Sequence, residues 1–296
     1  KYLVKHKSCF NCSLKCEKVV AVPSGRFSSL PTKIEYFSLA CFGAKCGNDD
    51  LESIIKANEL CNRLGMDVAE MGSIIGFLME CYEEELIGPE DCDGFDLRWG
   101  ESDAVVELVK KTALRYGIGD ILAEGVKGAS ERIGKGTDKY AFHIKRASIE
   151  SMDPRVWKTY NLRWRTASRG ADHLRGQGLA GQGTPVHSAH IGQPTSYRRE
   201  LPIEEGVKAV IWNEYACALA DMLGVCKFPY GVFSSSWEIQ QQKVEKLSDL
   251  LTAATGMKAS PEGMWHLTER LHNLERSFNA REGMRKSDDD MPWRFL

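Results

Sequence analysis

No apolar run in the 296 residues reaches the roughly 20 that a helix needs to cross a bilayer, so no membrane span is expected. The three-part pattern of a secretory signal is missing as well. Charge of one sign is not in excess: 39 basic against 41 acidic residues leave a formal net charge of −2. That balance supplies no field for nucleic acid or an anionic membrane surface, and neither is expected as a partner. Strand signals are few and confined to residues 19–22 and 140–144. There is no initiating methionine, and Arg294-Phe295-Leu296 closes an unfinished polar stretch. A portion of a longer chain is therefore expected.

Helical spacing dominates what is there. Leu51, Ile54, Ile55, Ala57, Leu60 and Leu64 fall on one helical face. Asp67 followed by Glu70 reads as a capping box opening a second helix, whose buried face would carry Met71, Ile74, Ile75, Leu78 and Met79. Further helices are predicted near 101–116, 119–133, 205–222, 235–255 and 260–280. Residues 159–200 are rich in Gly, Arg, His and Ser and have little periodicity, as long functional loops often do. The fold class expected is mainly α, in two helical domains, 1–145 and 146–296.

Cysteine is not scarce: there are ten. Disulfide frameworks belong mainly to small secreted domains. In a long helical chain metal ligation is the better expectation, and with it a reducing compartment, the cytoplasm. Cys9-x-x-Cys12-x-x-x-Cys16 can present three thiolates to three irons of a cuboidal cluster. The same residues are compatible with zinc, or with a chance grouping of core thiols.

Two short segments echo each other. One runs Asn62-Arg-Leu-Gly-Met66-Asp67, the other Asp221-Met-Leu-Gly-Val225-Cys226. Each places Gly where a helix would end in a left-handed cap, with backbone groups free just beyond it. Paired turns suggest two similar halves of one ligand. They also read as two ordinary helix ends, with Asp67 only capping the next helix.

Together these features resemble the tungsten-containing aldehyde ferredoxin oxidoreductase family. The resemblance continues through 51–65, Asp93-Gly-Phe-Asp-Leu97, 121–136, 140–145, Asp153-Pro-Arg155 and Ser168-Arg-Gly-Ala-Asp-His-Leu-Arg175. It implies a [4Fe-4S] cluster on Cys9, Cys12, Cys16 and the distant Cys226, beside a tungsten or molybdenum bis-pterin. It also implies that only the two helical domains are present here, without the family's N-terminal β-rich domain. By position, Asn62, Met66 and Asp67 would hold one pterin, and Asp221 and Val225 the other. Asn62 departs from the usual Asp. Arg169 and Arg175 match basic positions that hold pterin phosphate or ring oxygens. His173 and Glu35 match the active-site histidine and glutamate.

Cys41 is an oddity, because the tungsten subunit of the class II benzoyl-CoA reductase, within the same family, uses a cysteine on the metal. Cys41 is thus a candidate tungsten ligand, thiolate being a soft donor. Cys46 is a weaker one. His187-x-x-His190 has helical metal-pair spacing but sits in the Gly-rich segment, and no metal is assigned to it. The Asn62 departure, Cys41 and the Arg-rich residues 161–165 favour reduction of an aryl-CoA thioester such as benzoyl-CoA. The alternative is aldehyde oxidation to a carboxylic acid. Expected partners are ferredoxin or an iron–sulfur subunit, in an oligomer.

Overall fold

The computed structural model describes residues 1–155, 158–176, 203–230 and 237–296. These divide into two compact units, Lys1–Met152 and Asp153–Leu296. Among the described residues the chain is mainly α, as expected, and no helix is long and apolar enough to cross a membrane.

The first unit opens with a three-stranded antiparallel sheet: β1 (Leu3–Lys7), β2 (Glu17–Val20) and β3 (Thr32–Ile34), in that spatial order. The register pairs His6 with Lys18 and Lys7 with Glu17, then Lys18 with Ile34. Val20, Val22 and Ile34 bury against Ile55, so one end of the sheet is anchored and the hairpin tip projects. The sequence suggested only one strand here. β1 gave no signal because all five of its residues are exposed and its apolar and basic residues do not alternate.

Helices α1 (Tyr36–Phe42), α2 (Leu51–Leu64) and α3 (Val68–Glu83) follow. Helix α2 starts at Asp50, whose side chain accepts from Glu52 N, and buries Ile54, Ile55, Ala57, Leu60 and Cys61. Helix α3 is the central rod of the unit. Asp67 caps it by accepting from Glu70 N at 2.7 Å. The predicted capping box is only half formed, because the Glu70 carboxylate turns away. It accepts instead from Val126 N at 3.0 Å and Ser148 N at 3.1 Å, using its charge on two backbone donors from other elements.

Helices α4 (Ser102–Leu114), α5 (Ile118–Leu122) and α6 (Gly125–Ile133) complete the core. One helix was expected over 119–133. The chain breaks at Gly125, where φ is +76°, and Glu70 receives the new N-terminus there. Of the predicted strand at 140–144 only β4 (His143–Ile144) forms, paired with β5 (Ala147–Ser148).

The second unit contains α7 (Lys158–Thr166), α8 (Ile203–Leu223), α9 (Lys227–Tyr230), α10 (Trp237–Thr255) and α11 (Pro261–Arg281). Trp212, Ala216, Cys217, Leu219 and Ala220 of α8 form its core with Tyr230, Val244, Met264 and Trp265. Helix α7 corrects the expectation of irregular chain from residue 159. Tyr160, Arg163 and Trp164 recur at helical spacing and are all buried, but an arginine on the buried face hides the pattern. His187 and His190 lie outside the described residues.

Two glycines let other segments sit directly on α3. A Cβ at Gly72 would lie 2.5 Å from Cys41 Cβ and 2.7 Å from Cys41 O, and one at Gly76 would lie 2.9 Å from Lys45 O. The Gly72 contacts are with the Cys41 Cβ and backbone, so they cannot be relieved by moving the far end of a flexible side chain. Gly72→Ala is expected to destabilise the protein by about 1–3 kcal/mol, read as a lowered urea midpoint. An unchanged midpoint would show that α1 does not pack on α3 as described.

Candidate cofactor and active site

Cys9, Cys12 and Cys16 lie in the loop between β1 and β2. Cys12 N donates to Cys9 O at 3.1 Å, and Asn11 and Lys15 adopt left-handed φ of 55° and 47° directly before Cys12 and Cys16. The loop thus turns sharply ahead of two of its thiols. Cys9 and Cys16 are exposed and Cys12 is half-buried. Cys226, in the second unit, is also exposed. The other six cysteines, Cys41, Cys46, Cys61, Cys81, Cys92 and Cys217, are buried, and none of the ten forms a disulfide. Burial therefore sets apart the four thiols expected to hold the cluster and leaves Cys41 and Cys46, the candidate tungsten ligands, among the buried six.

The two echoing turns share one geometry. Gly65 has φ 71° and Met66 N donates to Cys61 O at 3.0 Å; Gly224 has φ 64° and Val225 N donates to Ala220 O at 3.0 Å. Both are six-to-one helix terminations with a left-handed glycine. In each, the next residue caps the following helix: Asp67 through its side chain, Cys226 through its carbonyl, which accepts from Tyr230 N at 3.2 Å.

Neighbours distinguish the turns. Asn62 Nδ2 donates to Thr32 Oγ1 at 3.0 Å and to Lys33 O at 3.2 Å. An aspartate has no hydrogen to give these acceptors, so the departure from the family pattern has a local role. Asp221 instead has cations beside it: Lys227 Nζ at 2.7 Å and Arg175 Nη1 at 3.9 Å. Arg175 also donates to Glu275 at 3.1 Å.

Glu35 opens α1, and its carboxylate lies 2.6 Å from Lys33 Nζ. The Glu35 hydrogen bond is the main reason the lysine pKa is raised. Lys33 also reaches Glu17, next to Cys16, at 3.5 Å. Sequence reasoning missed Lys33, which stands between the cysteine loop, Glu35 and, through its carbonyl, Asn62. Its position follows from strand pairing, which leaves no mark in residue spacing.

Cys41 is 0% exposed against α3. Burial pushes its thiol up to about 11, against the pull of the Lys45 charge. Cys46 is likewise buried, pushed up to about 12 by the same cause, and its Sγ lies 3.3 Å from Cys41 O. Both have the surroundings of core thiols.

His173 stands in a short turn, His173–Arg175, half-buried. Buried Asp172 caps that turn by accepting from Leu174 N at 2.8 Å, and its other oxygen takes a hydrogen bond from Arg169. Arg163, 0% exposed, donates to the Asp172 carbonyl at 2.6 Å. Arg169 thus positions the histidine turn in this structure. Arg163 was not nominated individually; its only signal was the unusual arginine content of 161–165. Arg165 donates to Asp289 O at 2.7 Å and pairs with Asp290 at 3.2 Å.

A family model described as aldehyde ferredoxin oxidoreductase, domains 2 and 3, matches residues 1–296. The chain belongs to that family of oxidoreductases. It is 31% identical over its whole length, and over 46% of the relative, to the tungsten-containing aldehyde ferredoxin oxidoreductase of Pyrococcus furiosus. Identity to the protein of the same description from Pyrococcus abyssi is 33%, with the same coverage. An aliphatic sulfonate oxidoreductase, WOR-like subunit, from P. furiosus is 30% identical over 62% of this chain and 30% of that protein. The chain spans about half the length of the first two relatives, 46% in each case. Among solved structures, the active-site complex BamBC of benzoyl coenzyme A reductase, in complex with 1,5-dienoyl-CoA, is similar in fold. The TM-score is 0.74 at 19% identity, over 100% of this chain and 47% of that one.

Two outcomes test this geometry. In metal-free protein under anaerobic native conditions, iodoacetamide should label Cys9, Cys12, Cys16 and Cys226 rapidly and the six buried cysteines only after unfolding, as read by peptide mass spectrometry. Rapid labelling of Cys41 would contradict its burial.

The second concerns Asp172. Burial pushes its carboxyl up, but the Arg169 hydrogen bond and Leu174 N–H outweigh it and hold it below its ordinary value. Such a group contributes stability above its unfolded pKa, lost as pH falls through the folded one. Asp172→Asn should cost about 1–3 kcal/mol at neutral pH, and the gap should close in acid. A pH-independent gap in urea titrations would refute the ionic account.

Proposed function

We propose that this chain carries the cluster ligands, the paired pterin-holding turns and the active-site histidine of a tungsten-dependent oxidoreductase. The observation that supports the reading is the sorting of thiols: four of ten lie at or near the surface, and they are the four that the resemblance assigns to the cluster. Their softness and accessibility fit a [4Fe-4S] cluster. The shared geometry of the Gly65 and Gly224 turns fits two like ligand halves, with Met66 and Val225 offering backbone groups. The relatives' descriptions support tungsten over molybdenum. When bound, the metal would exchange electron pairs with substrate and the cluster would relay single electrons.

The chain's own residues would do the rest. Asn62 and Asp67 would hold one pterin, and Asp221, Arg169 and Arg175 the other. Asp221 can accept pterin N–H groups through charge-assisted bonds. His173, held by the Asp172 cap, would keep or pass a proton at a ring nitrogen, and Glu35 would serve as a second acid–base group. A reducing compartment such as the cytoplasm suits the thiols. A ferredoxin or iron–sulfur subunit would be the electron partner, in an oligomer.

For the substrate, support weighs toward aldehyde oxidation to a carboxylic acid. The relatives matched over the whole of this chain, at 31% and 33% identity, carry that description, whereas the benzoyl-CoA reductase likeness is one of fold. The three features that favour aryl-CoA reduction each have partners within their own unit: Asn62 on Lys33, Cys41 on α3, and the arginines of 161–165 on Asp172 and Asp289. Aryl-CoA reduction is the second reading.

Full-length protein assayed anaerobically with benzyl viologen separates them. Dye reduction that depends on an aldehyde is expected. Dienoyl-CoA-dependent dye reduction without aldehyde activity, together with a protein sulfur at tungsten lost in Cys41→Ser by X-ray absorption, would reverse the choice. Iron without tungsten or molybdenum would defeat both readings.

A further inference from the structure

We propose that the cavity at the carboxyl end of helix α3 binds a linear aliphatic polyammonium cation. This cavity is remote from the candidate cofactor site. Helix α3 has 16 residues, so its far end lies about 24 Å from the Asp67 cap. A cavity of about 620 Å³ opens there, large enough for a small organic ligand. Tyr82, Leu86 and Trp99 supply apolar wall, and Trp99 is 40% exposed, so its indole is open to a ligand. Glu83, Glu85, Glu90 and Asp91 bring carboxylates to the lining, against the cations of Arg98 and Lys135.

Both of those cations are already matched. Lys135 pairs with Asp91 at 2.7 Å, and Arg98 pairs with Asp96 at 2.7 Å and with Glu101 at 3.3 Å. Glu83 takes a neutral hydrogen bond from Trp99 Nε1 at 2.8 Å. Glu83, Glu85 and Glu90 have no basic side chain within ion-pair reach among the described residues. Glu83 and Glu85 moreover stand at the negative pole of α3, whose last turn holds no basic residue. Like charge at that pole works against stability, and a bound cation would offset it. The spacing of the charge selects the kind of cation. Among the described residues no three of these carboxylates come close enough together to share one metal ion. Separated carboxylates beside an apolar wall fit ammonium groups spaced along a methylene chain. The face of the Trp99 indole suits an ammonium group as well, through cation–π attraction.

Full-length, cofactor-loaded protein is titrated with spermidine by calorimetry at constant ionic strength, and its thermal unfolding is followed with and without spermidine. Saturable binding at one site and a Tm raised by spermidine are expected. The double variant Glu85→Gln, Glu90→Gln should weaken spermidine binding about tenfold or more. Without spermidine the same variant should unfold at the temperature of the unaltered protein or above it, because it relieves like charge. Trp99→Leu should weaken binding about threefold.

Any of four outcomes overturns the proposal. One is the lack of saturable spermidine binding, or an affinity unchanged in the double variant. Another is a lower Tm of the double variant without spermidine, which would mean that the carboxylates serve the fold. The third is magnesium binding as tightly as spermidine at the same ionic strength, which would mean diffuse attraction. The fourth is tighter binding of a lysine-rich peptide through Glu85 and Glu90, which would make the cavity a protein-docking groove. If the unaltered protein holds no tungsten, the functional reading fails, and the spermidine titration still decides this site.

Discussion

The backbone of Thr32 and Lys33 is where the first unit's candidate site is tied together. Strand β3 is only three residues long, Thr32–Ile34, yet it pairs with β2 and so sets the position of the cysteine hairpin. Its Lys33 carbonyl accepts from Asn58 Nδ2 at 2.8 Å and from Asn62 Nδ2 at 3.2 Å, one helical turn apart on α2. Asn58, 2% exposed, also accepts from Ser38 of α1 at 2.7 Å, so both ends of its amide are used. A buried amide with its bonds made is inexpensive, and one with a bond missing costs about 1–3 kcal/mol. This network explains how a thiol loop, a helix-ending turn and the start of α1 keep fixed relations without a large sheet.

Close packing performs the second task, which is to separate thiols by environment. Gly72 and Gly76 admit α1 and the Ala44–Cys46 turn onto the central helix α3. Cys41 and Cys46 are enclosed as a result, and burial pushes their thiols up to about 11 and about 12. A protonated buried thiol is inert, while an accessible one is ready for a metal. The same ten residues of one chemistry thus split into accessible and buried sets by packing alone.

In the second unit, charge does the work that packing does in the first. Arg163 is enclosed in α7 and donates to the Asp172 carbonyl, and Arg169 pairs with the Asp172 carboxylate. Asp172 then caps the turn that carries His173. Truncating a buried ionic partner is costly because it leaves the other charge unmatched. This dependence accounts for the concentration of arginine in a stretch whose composition suggested an irregular loop.

Sequence alone determined the helical class, the course of α2, α3 and α8, the two glycine-ended turns and the nomination of Cys9, Cys12, Cys16 and Cys226. Each of these is a local pattern, a spacing or a cap, which neighbours in the chain suffice to produce. Tertiary structure decided what local patterns do not encode. It opened β1 to solvent, turned Glu70 from its own helix toward Val126 and Ser148, gave Asn62 to Lys33, and enclosed Cys41. Those outcomes depend on partners dozens of residues away, and only folding brings donor, acceptor and apolar surface within bonding distance.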